Sequence, residues 1–181
     1  MERKTHQSMV RCRGAALHAT LIIGALCMGA LFECPLAEAT TASNTFTVQA
    51  VINSSCNVSA TTLNFGTYDP TSATALNGTS TLSVFCTAGT PYTSALNVGS
   101  GGGSFVTRTI ANGGNLLNYN LFRDAAHSQV WGDGSGSTFT VSGTGSGLLT
   151  ANNLTVYGEI PVAQDKPPGT YTSTITVTVA Y

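Results

Sequence analysis

Tyr171 to Tyr181 reads YTSTITVTVAY, and its alternation decides the fold class. Tyr171, Ile175, Val177, Val179 and Tyr181 fall on one face, with Ser173 the only polar interruption. Thr172, Thr174, Thr176 and Thr178 fall on the other, followed by Ala180. Side chains alternate along a strand with period two, so this pattern predicts a β-strand with one buried and one wet face. An apolar strand with an open edge is a template for pairing with other chains. No later segment is expected to pair with it, so what covers that edge bears directly on function.

Upstream, no stretch beyond residue 40 shows a helical period. Strands are predicted over Thr45–Val58, Thr79–Cys86, Tyr92–Val98, Leu116–Arg123, Thr138–Ser142, Leu154–Val162 and Tyr171–Tyr181, with shorter ones at Thr62–Phe65 and Gln129–Trp131. Gly99–Ser104 and Gly132–Gly136 read as turns, and Lys166-Pro167-Pro168-Gly169 as the turn that sets up the final strand. Seven or more short strands punctuated by turns predict a two-sheet β-sandwich in one domain.

The first 39 residues read as a signal peptide rather than as part of that fold. Arg3, Lys4, Arg11 and Arg13 precede a mostly apolar Gly14–Phe32, and Ala37-Glu38-Ala39 forms a small-residue cleavage site. A membrane anchor is the competing expectation, since an apolar segment of that length just reaches across a bilayer. His18 interrupts it, and the cleavage site favours export, so the mature chain is expected to begin near Thr40.

Beyond that point stand three basic residues (Arg108, Arg123, Lys166) and five acidic ones (Asp69, Asp124, Asp133, Glu159, Asp165), a net charge of −2. Such a surface cannot neutralise a row of phosphates, which argues against a nucleic-acid partner. Cys56 and Cys86 are the only cysteines left, and a pair in an exported chain is most simply a disulfide. Closing a loop of that length stabilises a fold by roughly 3.5 kcal/mol in the chain-entropy model. A metal site is expected to lack ligands, because His127 is the only histidine beyond residue 40. Any Ser-His-Asp or Cys-His arrangement would depend on that lone histidine, and no enzymatic activity is expected. Asp133 in its glycine turn and Asp165 beside Lys166 fit solvated turn roles better than acid–base pairs.

The segment before Cys56 is too long for one tidy sandwich strand. Phe46, Val48, Ala50 and Ile52 alternate with Thr47, Gln49, Val51 and Asn53. Either this is one long first strand of the same sandwich, or an exposed apolar arm precedes a domain strand ending at Cys56.

Several ordered motifs bear on that choice. LNFG at 63–66, LNYNLFRDAAHSQVWGDG at 117–134, VYGEIP at 156–161 and PPGTYTSTITVTVAY at 167–181 resemble the spore coat protein U domain. The order of signal peptide, Cys56, LNFG, Cys86, Arg108-Thr109 and the tyrosine-rich strand resembles it as well. The family includes subunits of archaic chaperone–usher pili. The resemblance implies an all-β, incomplete immunoglobulin-like β-sandwich lacking its final strand, completed by donor-strand complementation. It implies a structural subunit of a cell-surface pilus, exported through the periplasm and supporting adhesion and biofilm formation. Its partners would be a periplasmic chaperone, an outer-membrane usher and neighbouring subunits, with no cofactor. Carried onto this chain, 40–49 would be the donor arm and 50–181 the pilin domain. Phe46, Val48 and Ala50 would be the inserted side chains, and Ile175, Val177 and Val179 would line the receiving groove and meet the chaperone. Cys56 and Cys86 would staple the first domain strand to the second, and Tyr119 and Trp131 read as packing aromatics. The alternative is a monomeric secreted spore-coat or matrix protein whose edge is covered by its own chain.

Overall fold

A computed structural model describes residues 40–181; the expected signal segment, 1–39, lies outside the described residues. The chain divides between Val48 and Gln49, and the sandwich belongs wholly to Gln49–Tyr181. Its eight strands are β1 (Cys56–Ala60), β2 (Leu76–Cys86), β3 (Pro91–Leu96), β4 (Arg108–Asn112), β5 (Asn115–Phe122), β6 (Val141–Thr144), β7 (Asn152–Ile160) and β8 (Val177–Ala180). They form a five-stranded sheet ordered β1-β2-β7-β5-β4 and a three-stranded sheet ordered β6-β3-β8. Every named strand pairing is antiparallel.

The core follows from alternation. Leu82, Val84 and Cys86 of β2, Leu117, Tyr119 and Leu121 of β5, and Val156 and Ile160 of β7 turn inward from one sheet. Tyr92 and Leu96 of β3 meet them from the other, around a fully buried Trp131 whose indole N–H donates to the Ser94 carbonyl at 3.2 Å. Burying such side chains contributes on the order of 1.5–3 kcal/mol each against chain entropy.

Two departures from the sequence-based expectation have clear causes. The long strand over Thr45–Val58 does not form; β1 begins at Cys56. Cys56 pairs with Cys86, the last residue of β2, and beyond it only Ser55 finds a partner, accepting from the Thr87 N–H at 2.9 Å. With β2 at its end, residues 45–54 have no strand to lie against. β4 was not expected at all. It forms because Asn112-Gly113-Gly114-Asn115 makes a tight hairpin, with Gly113 at φ 58°, that folds Arg108–Asn112 back onto β5.

The final segment is extended as expected, but it changes partners along its length. Thr172 exchanges two backbone hydrogen bonds with Ala111 of β4. Thr174 and Thr176 then bond to Ser100 and Asn97, and Val177–Ala180 pairs with β3. The segment therefore closes one side of the sandwich by bridging the two sheets. The short predicted strand at Thr62–Phe65 is not a strand, and Val130 and Trp131 make only isolated bridges.

Strand directions give the domain two distinct poles. Cys56, Cys86, the Gly145–Ala151 loop and the C-terminal end of β8 lie at one, the disulfide pole. The Asn112–Asn115 hairpin and Pro161–Gly169 lie at the other.

Candidate functional site: an open sheet edge over an apolar groove

Among the described residues β8 ends its sheet, with β3 on one side and no strand on the other. In an antiparallel pair the backbone groups of successive residues point alternately toward and away from the partner. Asn97 N–H donates to Thr176 O at 3.1 Å and Ser100 N–H to Thr174 O at 3.0 Å, so the even-numbered residues bond toward β3. The N–H and C=O groups of Ile175, Val177 and Val179 consequently face the open edge. Their side chains are half-buried against the core, whereas the threonines between them are exposed.

Beside this edge lies a cavity of about 990 Å³. An enclosed apolar void of ~150 Å³ already holds a benzene, so this one has room for several side chains. One wall is Thr61–Tyr68, the other runs from Lys166 to Ile175 and on to Val177, and the floor is Leu82, Leu117, Tyr119, Leu121, Val156 and Ile160. Each floor residue is at most 8% exposed. Ile175 and Val177 thus line the cavity; Val179 shares their face and packs on the core without lining it.

Leu63 and Phe65 of the LNFG run cross the inner face of the large sheet above Gly78 and Gly158, which are register partners on β2 and β7. A Cβ at Gly158 would come within 2.8 Å of both side chains, so any larger residue there would displace them from the sheet. Phe65 then meets Tyr119 edge-on, with ring centroids 6.2 Å apart. Strand-interior glycines are the sequence signal for such a close approach, and they mark this wall of the groove.

The floor carries one polar anomaly. The Tyr119 hydroxyl is the single buried side-chain polar atom among the described residues without a hydrogen-bond partner. Burial pushes its pKa up, while the neighbouring Ser173 hydroxyl and the Arg108 charge pull it back. Ser173, the polar interruption in the final strand, accepts from Gly101 N–H at 3.0 Å. Arg108 is fully buried with no carboxylate partner among the described residues. Its guanidinium donates to Asn97 O at 3.1 Å, Asn120 Oδ1 at 2.6 Å and Trp131 O at 2.6 Å, and lies over the Phe105 ring. Burial lowers its pKa to about 10, so it remains a cation at neutral pH and ties β4 to the loops behind the groove.

Cys56 and Cys86 form a disulfide that fixes β1 to β2. Phe46 and Val48 are 87% and 82% exposed, and Ala50 is exposed as well. Among the described residues no three metal-ligating side chains cluster. His127 sits 3.4 Å from Glu159, edge-on to Phe122 and Tyr157.

Residues 42–178 match the Spore Coat Protein U domain. The chain belongs to that family. It is 32% identical over 163 residues to Protein U of Myxococcus xanthus, covering 80% of this chain and 88% of that protein. Among solved structures it is similar to a chain of the CsuC–CsuE complex of Acinetobacter baumannii, a chaperone–tip adhesion subunit pre-assembly complex from archaic chaperone–usher Csu pili. That likeness has a TM-score of 0.54 and 25% identity, covering 72% of this chain and 40% of the other. The family and this likeness establish an all-β, immunoglobulin-like structural protein rather than an enzyme.

Proposed function

We propose that this chain is a structural subunit of a cell-surface pilus, assembled by a chaperone and an usher through donor-strand exchange. The observation that carries the reading is the free edge of β8 beside an apolar groove whose floor is otherwise buried core. The sequence supplies the matching piece, an arm with Phe46, Val48 and Ala50 on one face, all exposed. Strand addition gives affinity through main-chain hydrogen bonds and register through alternate side chains seated in pockets. Ile175, Val177 and Val179 offer the free backbone groups. In export a periplasmic chaperone supplies the strand, and in the fibre the arm of the next subunit replaces it. Each apolar side chain seated contributes ~1.5–3 kcal/mol before ordering costs. No cofactor or nucleotide is needed, and adhesion and biofilm formation are properties of the assembled surface fibre.

The poles favour one direction for the arm. The arm leaves its own domain at the disulfide pole, where β1 begins. For identical copies to continue in a line, it must enter its neighbour at the opposite pole and so run antiparallel to β8. This contact is heterologous and non-closing, which generates filaments.

A second reading, a stand-alone secreted coat protein, is favoured by the description of the matching family, the Spore Coat Protein U domain. Deleting Thr40–Gln49 separates the two. The pilus reading expects a folded, chaperone-captured subunit that no longer polymerises; unchanged export and assembly would favour the coat protein.

A further inference from the structure

Leu149 is 98% exposed and Leu148 48% exposed, side by side on the loop between β6 and β7. Such a pair on a floppy loop would mean little, but this loop is held firmly. Gly145 N–H donates to Thr90 O at 2.8 Å and its carbonyl accepts from Gly89 N–H at 2.9 Å. Gly147 N–H donates to Cys86 O, and Thr150 N–H to Gly147 O. Ser146 N–H is received by the Asn152 side chain, whose amide donates in turn to Thr144 O. Gly145 lies so close to Cys86 and Thr87 that a Cβ would collide with their backbone. A braced turn therefore presents two leucines to solvent at the disulfide pole.

The same few residues anchor the root of the arm. Ser55 exchanges hydrogen bonds with Thr87, through its carbonyl and through its N–H to the Thr87 hydroxyl, and Cys56 is bonded to Cys86. If Ala50 is the last side chain seated in a neighbour, only Val51–Ser55 remains to span the gap. At ~3.3–3.6 Å per residue that is at most about 18 Å. Leu149 is two residues beyond Gly147, which is bonded to Cys86 itself. The neighbour's groove mouth and the leucine turn are thus confined to the same small region.

We infer that Leu148 and Leu149 form a second contact between adjacent subunits, packing on the pole at which the neighbour's groove receives the arm. That pole offers apolar side chains for such a contact: Pro161, Val162, Pro167 and Pro168 are all exposed there, beside the exposed Asp165 and Lys166. The occupant is a second copy of this chain, and the inference rests on the arm entering the groove as proposed above. The contact braces a junction that a five-residue tether alone would leave free to swivel.

The test is Leu148→Ser with Leu149→Ser, compared with Leu149→Ser alone and with the Thr40–Gln49 deletion. Both leucines are already exposed, so melting of the chaperone-bound subunit should stay at the wild-type value. Polymers should still form through the arm, but their dissociation in denaturant should be at least tenfold faster for the double variant, with the single variant between. Polymers of the double variant that form and dissociate at the wild-type rate would overturn the inference while leaving the arm intact. Loss of chaperone capture by the serine variants would assign the turn to the chaperone and overturn it as well. Polymerisation of the deleted chain would remove the arm-in-groove reading, and this inference with it.

Discussion

Phe46→Ala is the perturbation that separates a donor arm from a first strand most sharply, because the expected cost falls on the junction and not on the subunit. Phe46 is 87% exposed, so within its own chain the ring has almost no burial to lose. Seated in a neighbour, it would lie on a floor whose residues are 0–8% exposed. Truncating a fully buried phenylalanine to alanine costs about 3–5 kcal/mol, through lost transfer energy and the cavity left behind. At the lower end, about 3 kcal/mol corresponds to roughly a hundredfold change in the junction equilibrium, expressed mainly as faster dissociation. The assay is the denaturant- or heat-induced breakdown of purified polymers into monomers, followed by gel or light scattering. Melting of the chaperone-bound subunit serves as the control. The reasoning fails if the variant polymer breaks down at the wild-type rate, or if the substitution lowers subunit melting by an equivalent amount. The second outcome would mean that Phe46 belongs to its own domain.

Val177→Asp places a carboxylate among the half-buried apolar side chains of the groove wall, and covering an unpaired charge there with an inserted strand costs several kcal/mol. Chaperone capture and recovery from the periplasm should be lost, and normal co-purification with the chaperone would count against the groove assignment. The denatured oxidised protein, from residue 40 onward, should show no reactive thiol. Replacing both Cys56 and Cys86 by serine should lower the melting temperature of the assembled protein by about 10 °C, from about 3.5 kcal/mol of loop closure. The carboxyls of Asp69, Asp124 and Asp133 are held below the usual range, chiefly by the hydroxyls of Thr71, Ser128 and Ser135. A depressed folded pKa gives stability that is present above the unfolded value of ~3.9 and lost as pH falls through the folded one. Melting should therefore fall off below about pH 4, and Asp124→Asn should blunt that fall, an effect read directly from a pH series of melting curves.

The face of the last segment was legible in the sequence because period-two alternation needs no knowledge of partners. Its change of partner was not, since Thr172 and Val177 look alike along the chain while one meets β4 and the other β3. β4 escaped notice because its first residue, Arg108, is a buried cation held by carbonyls and an amide, and hydropathy reads any arginine as exposed. The arm's alternation was visible from Phe46 to Ile52, but whether it paired within its own sandwich depended on where β2 stops, a tertiary fact. The Cys56–Cys86 pair followed from the expectation of export and from there being two cysteines beyond residue 40. The wall built by Leu63 and Phe65 was announced only by Gly78 and Gly158, strand glycines whose meaning emerges once they are seen to be register partners. The leucine turn left no sequence signal beyond two apolar residues among glycines, because exposure is a property of the folded loop.

The most direct measurement of the central claim uses a photo-crosslinking side chain in place of Phe46, in polymers assembled from a mixture of light and isotope-labelled chains. Mass spectrometry of the cross-linked peptides then reports both the contact and whether it joins one molecule or two. The account predicts mixed-isotope cross-links from position 46 to the groove, at Ile175–Tyr181 or to floor residues such as Leu82 and Val156. Cross-links confined to single-isotope pairs, from position 46 to its own domain, would contradict it.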